Sequence, residues 1–196
     1  MNNPKKSIVH HTGVSRKRQP RQFFAINRYH RDAKDKDGLP LYHYGKPTSM
    51  GYYGAYQILI EPDGSEWRYR RDWEVGVHTR GQNDVSLGIA LAGNFDLELP
   101  TEAQIKTLIR RLKKWNIRYN IEEIWVVPHR RYSPKSCYGS LLSDEWAQNL
   151  LQPVEMTIED IKKNDKMEQM KTRLDALRAI ILRLQIIIKK LYENRL

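Results

Sequence analysis

Cysteine is nearly missing from this chain: Cys137 stands alone among 196 residues, which excludes any disulfide within it. No apolar run approaches the roughly 20 residues a spanning helix needs, and the mean hydropathy of −0.72 agrees. Behind Lys5 and Lys6 there is no apolar h-region, so a secretory signal is not expected. Acidic residues are in deficit, 23 against 34 basic, which leaves a net charge of +11. That charge favours polyanionic partners. Yet the basic residues are scattered, from Lys5 and Lys6 to Arg16 to Arg18 and Arg110 to Lys114. No nucleic-acid-binding motif accompanies them, so nucleic acid is not an expected partner. Internal repeats and low-complexity tracts are also lacking. What remains, 40% hydrophobic and 10% aromatic residues, suffices for one well-filled core with an appendage.

The pattern divides near Gln152-Pro153, which predicts domains over 1–152 and 153–196. All the histidines fall in the first. There, Ser7 to Thr12 reads as a short strand ending at Gly13. Pro20 is placed to open a helix through Phe23, Phe24, Ile26 and Tyr29. Asp32 to Met50, rich in glycine and proline, reads as a long loop. Tyr56 to Ile60, a Glu61-Pro62-Asp63-Gly64 turn and Ser65 to Tyr69 carry a hairpin signature. Ser86 to Ala92 has the apolar character of a central strand. Thr101 and Gln104 are spaced for a capping box, and Ile105, Leu108, Ile109, Leu112 and Trp115 follow at helical spacing. Ile124 to Val127 reads as another buried strand, ending in Pro128-His129. Strands interleaved with helices predict an α/β fold, a sheet covered by helices.

The rarest side chains carry the chemistry. Cys137 follows His129 by eight residues, across a loop containing Pro134. Such a loop can bring an imidazole and a thiolate together, and zinc accepts both. A catalytic zinc site keeps three protein ligands and one open position. The third ligand would come from another strand end, and His10, His11 and His78 are the candidates. Against this, a lone cysteine is often an inert small hydrophobe. His30 and His43 read as ordinary structural histidines.

Four ordered segments then bear on the choice: Ile8-Val9-His10-His11-Thr12; Ala55 to Ile60 with Asp63-Gly64; Gly76-Val77-His78-Thr79 with Asn83 to Ile89; and His129 to Cys137. Together they resemble the zinc-dependent N-acetylmuramoyl-L-alanine amidase family, which includes phage endolysins and the animal peptidoglycan-recognition proteins. The resemblance covers residues 5 to 150 and implies a central mixed sheet flanked by helices. It implies a zinc triad of His10, His129 and Cys137, with His10 preferred to His11 because it matches the family strand. Strand alternation lets only one of the pair face the metal. Tyr56 and Lys135 match the family's catalytic tyrosine and lysine, and His78 and Asn83 match substrate-binding positions near its cleft. The implied substrate is bacterial peptidoglycan, cut between N-acetylmuramic acid and L-alanine. Family members that only recognise the wall characteristically lack the cysteine, which is present here. Two departures stand out. The family commonly continues Cys-Pro-Gly, whereas here Cys137-Tyr138-Gly139 follows, and Ala90 stands where a wall-recycling branch carries glutamate. Without a signal, an endolysin-like protein is expected in the host cytoplasm before lysis, acting at the cell wall.

No resemblance covers the tail. Met167, Met170, Leu174, Leu177, Ile181, Leu184, Ile188 and Leu191 follow a heptad pattern. They predict a long C-terminal amphipathic helix that buries its stripe in a homo-oligomer through residues 166–191, at a membrane surface, or on the first domain. Arg178, Arg183, Lys189 and Lys190 favour anionic surfaces.

Overall fold

The computed structural model describes residues 2–39 and 46–152, with residues 166–174, 177, 178, 180, 181, 184 and 185. The chain divides into two units, Met1–Gln152 and Pro153–Leu196. In the first, strands β1 (Lys6–His11), β2 (Ile58–Ile60), β3 (Glu66–Arg68), β4 (Ser86–Leu91) and β5 (Val126–Pro128) form one sheet. Their order is β3-β2-β4-β1-β5. The β1 strand is parallel to β4 on one side and β5 on the other, and β2 is parallel to β4. Only β3 runs antiparallel, paired with β2 across the expected hairpin. The sheet is therefore mixed. Helices α1 (Phe23–Asp32), α2 (Glu102–Tyr119) and α3 (Trp146–Asn149) complete the unit.

Alternation along the strands sorts side chains into two layers. Val9, Leu87, Ile89 and Leu91 pack with Leu108, Leu112 and Trp115 of α2 and Ala147 of α3. Leu59 and Ala90 point the other way and pack with Phe23 of α1 and Tyr69. The sheet is thus covered on both faces, with its continuous apolar strands buried as a parallel arrangement requires. Helix α2 opens on the expected box: the Thr101 side chain accepts the Gln104 N–H, and the Gln104 side chain accepts the Thr101 N–H. Such a cap contributes about 1 kcal/mol.

Two local expectations need correction. Pro20 does not open α1, which starts at Phe23 with Gln22 as its N-cap. The Glu61 carboxylate accepts the backbone N–H groups of Gln22 and Phe23, both at 2.8 Å, so a side chain from the hairpin turn caps this helix. Ile124 and Trp125 are not strand residues. They sit in a 3₁₀ turn (Glu123–Trp125) and are 61% and 41% exposed. Part of the loop expected over 32–50, with His43, lies outside the described residues. In the second unit, the described residues between 166 and 185 are helical, and Ile188 and Leu191 lie outside them.

Candidate functional site

His10 and His11 end β1, an interior strand of the sheet that lies between its parallel neighbours β4 and β5. Alternation separates them. His10 pairs in register with Ala90, on the face that α1 covers. His11 turns to the opposite face, where its ring lies 5.9 Å from Phe95 and its Nδ1 accepts the Phe95 N–H at 3.0 Å. His129 follows β5 immediately, opening a 3₁₀ turn over His129–Tyr132, and its ring centroid lies 4.5 Å from that of His10. The following loop brings back Cys137, whose Sγ lies 3.6 Å from His10 Nδ1.

The ligand atoms of His10, His129 and Cys137 all fall within 4.8 Å of one another. Two ligands at about 2.0 and 2.3 Å from a tetrahedral metal stand about 3.5 Å apart, so the sulfur–nitrogen distance fits such an ion. Two imidazoles and a thiol form a donor set suited to zinc. Burial, then the neighbouring His78 and His129, hold His10 well below the ordinary histidine range. Burial and then Lys135 lower His129. Both rings are therefore neutral, as ligands must be. Burial pushes the Cys137 thiol up to about 12, so a metal would displace its proton on binding.

The ring of His78 stands edge-on to His10, with His10 Nε2 and His78 Nδ1 3.1 Å apart. The Thr79 hydroxyl lies 2.9 Å from the same His78 nitrogen. Room for the His78 ring comes from two glycines. A Cβ built on Gly88 would lie 2.4 Å from the ring, and one on Gly76 2.5 Å from it. His78 Nε2 is buried and, among the described residues, has no hydrogen-bond partner. Asn83 does not reach the cleft wall. Its Oδ1 accepts the backbone N–H groups of His78 and Thr79 at 2.9 and 2.8 Å, which fixes the turn carrying His78.

These residues open into a cleft of about 710 Å³, whose walls include Tyr56, His30, Arg80 and Lys135. The Tyr56 ring is 5.0 Å from that of His10. Lys135 is exposed at the rim, two residues before the thiol. His30, read from sequence as merely structural, also lines the cleft. Its Nδ1 accepts the Ala55 N–H at 3.2 Å. Burial and Arg70 lower its pKa to about 4. No local signal in α1 marks His30, because the docking of that helix beside Tyr56 brings it there.

Comparison with known proteins bears on the family and the fold. The family model described as N-acetylmuramoyl-L-alanine amidase matches residues 1–140. A human N-acetylmuramoyl-L-alanine amidase is 30% identical over 92 residues, 46% of this chain and 16% of that protein. The chain thus spans less than a fifth of that relative's length. The endolysin of Klebsiella phage KP32 is 28% identical over 102 residues, half of this chain and 66% of that one. An N-acetylmuramoyl-L-alanine amidase from Clostridium intestinale URNW superposes with a TM-score of 0.54 at 27% identity, covering 71% of this chain and 78% of that one.

Proposed function

The chain belongs to the N-acetylmuramoyl-L-alanine amidase family, and we propose that it is a zinc-dependent peptidoglycan hydrolase of the phage-endolysin type. It would cut the amide between N-acetylmuramic acid and the L-alanine of the stem peptide. The observation that carries this reading is the convergence of His10, His129 and Cys137 to within 4.8 Å at the floor of an open cleft. Three protein ligands leave a fourth position for catalysis, whereas a structural zinc site closes all four.

When bound, zinc supplies a water acidic enough to act as nucleophile near neutral pH, and polarises the scissile carbonyl. The protein's own groups do the rest. His10 would ligate through Nδ1, the atom facing Cys137 Sγ. Its proton then resides on Nε2 and is donated to His78 Nδ1. That contact holds the ring against rotation, the usual task of a partner behind a metal ligand. Lys135 at the rim places a cation near the developing oxyanion, and the Tyr56 hydroxyl serves as a second donor or orients the water. Donors of this kind contribute about 3–4 kcal/mol each to the transition state. Ala90, the register partner of His10, is fully buried and carries no acid, which leaves Tyr56 as first choice for the proton transfers. His78 is read as holding the ligand, and Asn83 as holding His78.

Residues 1–152 are taken as the catalytic domain and 153–196 as a linker with an amphipathic helix. The exposed Met167, Met170, Leu174, Leu177, Ile181 and Leu184 support self-association of that helix. Sedimentation of the full chain against its Leu177→Asp variant tests this, and liposome binding by a monomer would favour a membrane surface instead. Before lysis the protein would reside in the host cytoplasm. The activity itself is tested by turbidity loss of purified cell walls: lysis that a chelator stops and added zinc restores is the expected result, and chelator-insensitive lysis would refute the zinc mechanism.

A further inference from the structure

The proposed thiol ligand sits in a segment made only of turns and bends, between the 3₁₀ turn ending at Tyr132 and the start of α3 at Trp146. Holding such a loop in one conformation costs about 1–2 kcal/mol of entropy per residue. A metal ligand must nevertheless be placed to within about 0.5 Å. Something must therefore hold the loop.

Arg130 contacts it at several points. Its backbone N–H donates to the carbonyl of Cys137 at 2.5 Å. Its Nη1 donates to the Gly139 carbonyl at 2.7 Å and its Nη2 to the Leu142 carbonyl at 2.6 Å. Nε pairs with the Asp144 carboxylate, and the guanidinium lies 5.3 Å over the Tyr138 ring. The Arg130 side chain is 20% exposed and that of Asp144 61%, so the ion pair is screened and the carbonyl contacts carry more of the restraint. From the other side, Asp96 accepts the Ser140 N–H at 2.7 Å and the Ser136 hydroxyl at 2.9 Å. Between them Gly139 presses on Phe95, since a Cβ there would lie 2.4 Å from the Phe95 Cβ.

We propose that Arg130 is a positioning residue for the metal ligand Cys137, fixing the loop so that Sγ faces His10 Nδ1 before any metal arrives. This rests on the metal reading above. Two divergent carbonyls, of Gly139 and Leu142, need the planar fork of a guanidinium, and a lysine would supply the charge without the fork. The loss on Arg130→Lys should therefore appear in metal affinity.

The test uses the metal-free full chain titrated with Co²⁺, whose thiolate charge-transfer band reports ligation by Cys137, with Zn²⁺ affinity from chelator competition. Arg130→Lys is expected to weaken both metals by about tenfold or more and to reduce the band at a given cobalt concentration. Asp144→Asn, which spares the carbonyl contacts, should change affinity by less than about threefold. Melting of each metal-free variant separates lost affinity from lost fold. Hydrogen exchange on the metal-free wild type needs no variant: protection of the Arg130 and Ser140 amides supports a loop already held. Wild-type affinity in Arg130→Lys, or amides protected only after metal is added, would overturn the proposal. A wild-type chain giving no cobalt band would remove the metal reading itself, and this inference with it.

Discussion

Cys137 Sγ lies 3.6 Å from His10 Nδ1, although 127 positions separate the two residues. The contact exists because β1 and β5 are parallel neighbours whose ends carry His10 and His129, and the loop after His129 folds back beneath them. Cys137→Ser is expected to lose metal and wall lysis together. The thiol now donates to the His11 carbonyl at 3.8 Å, a role a hydroxyl can keep, so stability should change by about 1 kcal/mol. Metal content by atomic emission and a denaturant melt check both parts.

Tyr56→Phe and Lys135→Ala should behave differently from that variant. Neither side chain belongs to the ligand set, so metal content should stay at the wild-type level. Turnover on purified walls should fall by about 10²–10³-fold for a lost oxyanion donor. Full turnover in either would take that residue out of the mechanism, and lost metal would make it structural.

Gly88→Ala tests the support behind His10. The new methyl group would meet the His78 ring at 2.4 Å. His78 must shift, and with it the 3.1 Å contact to His10 Nε2. Metal affinity is expected to fall by about tenfold or more, with an overpacking cost of about 1–3 kcal/mol in the melt. An unchanged affinity would show that His78 does not hold the ligand.

His30 predicts a pH dependence of stability. Its pKa falls from 6.5 unfolded to about 4 folded, because burial and Arg70 disfavour its charged form. Between those values the unfolded chain binds the proton and the folded chain does not. Stability therefore declines as pH drops from 6.5 towards 4, by up to about 3 kcal/mol from this group. Above pH 6.5 the effect vanishes. His30→Asn, which keeps an acceptor for the Ala55 N–H, should flatten the slope in that window when urea melts are compared across pH.

Elements defined by local pattern were legible in the sequence: the β1 and β4 strands, the hairpin around Asp63-Gly64, and the capping box of α2. That His10 and His11 face opposite sides was legible too, from alternation, whereas the choice of His10 for the metal came only from the resemblance. What depended on distant partners was not. The start of α1 is set by the Glu61 carboxylate rather than by Pro20, and no pattern within the helix announces that. Ile124 and Trp125 looked like buried strand residues because hydrophobicity cannot distinguish a strand from an exposed 3₁₀ turn leading into it. His30 joins the cleft only through the docking of its helix. The turn after Cys137, where this chain has Tyr138 and the family commonly has proline, contains a cis Cys137–Tyr138 peptide bond and is held by Arg130, two features that composition does not encode.

Amide hydrolysis by a metal site built from His10, His129 and Cys137 is distinguished from glycan cleavage by the chemical ends it leaves. Purified peptidoglycan is digested with the zinc-loaded chain, the chelated chain and Cys137→Ser, and new amino groups and new reducing sugar ends are measured. New N-terminal L-alanine is expected with the zinc-loaded chain alone, and no new reducing ends. Reducing ends without free alanine amines, or equal release by Cys137→Ser, would contradict amide hydrolysis by this site.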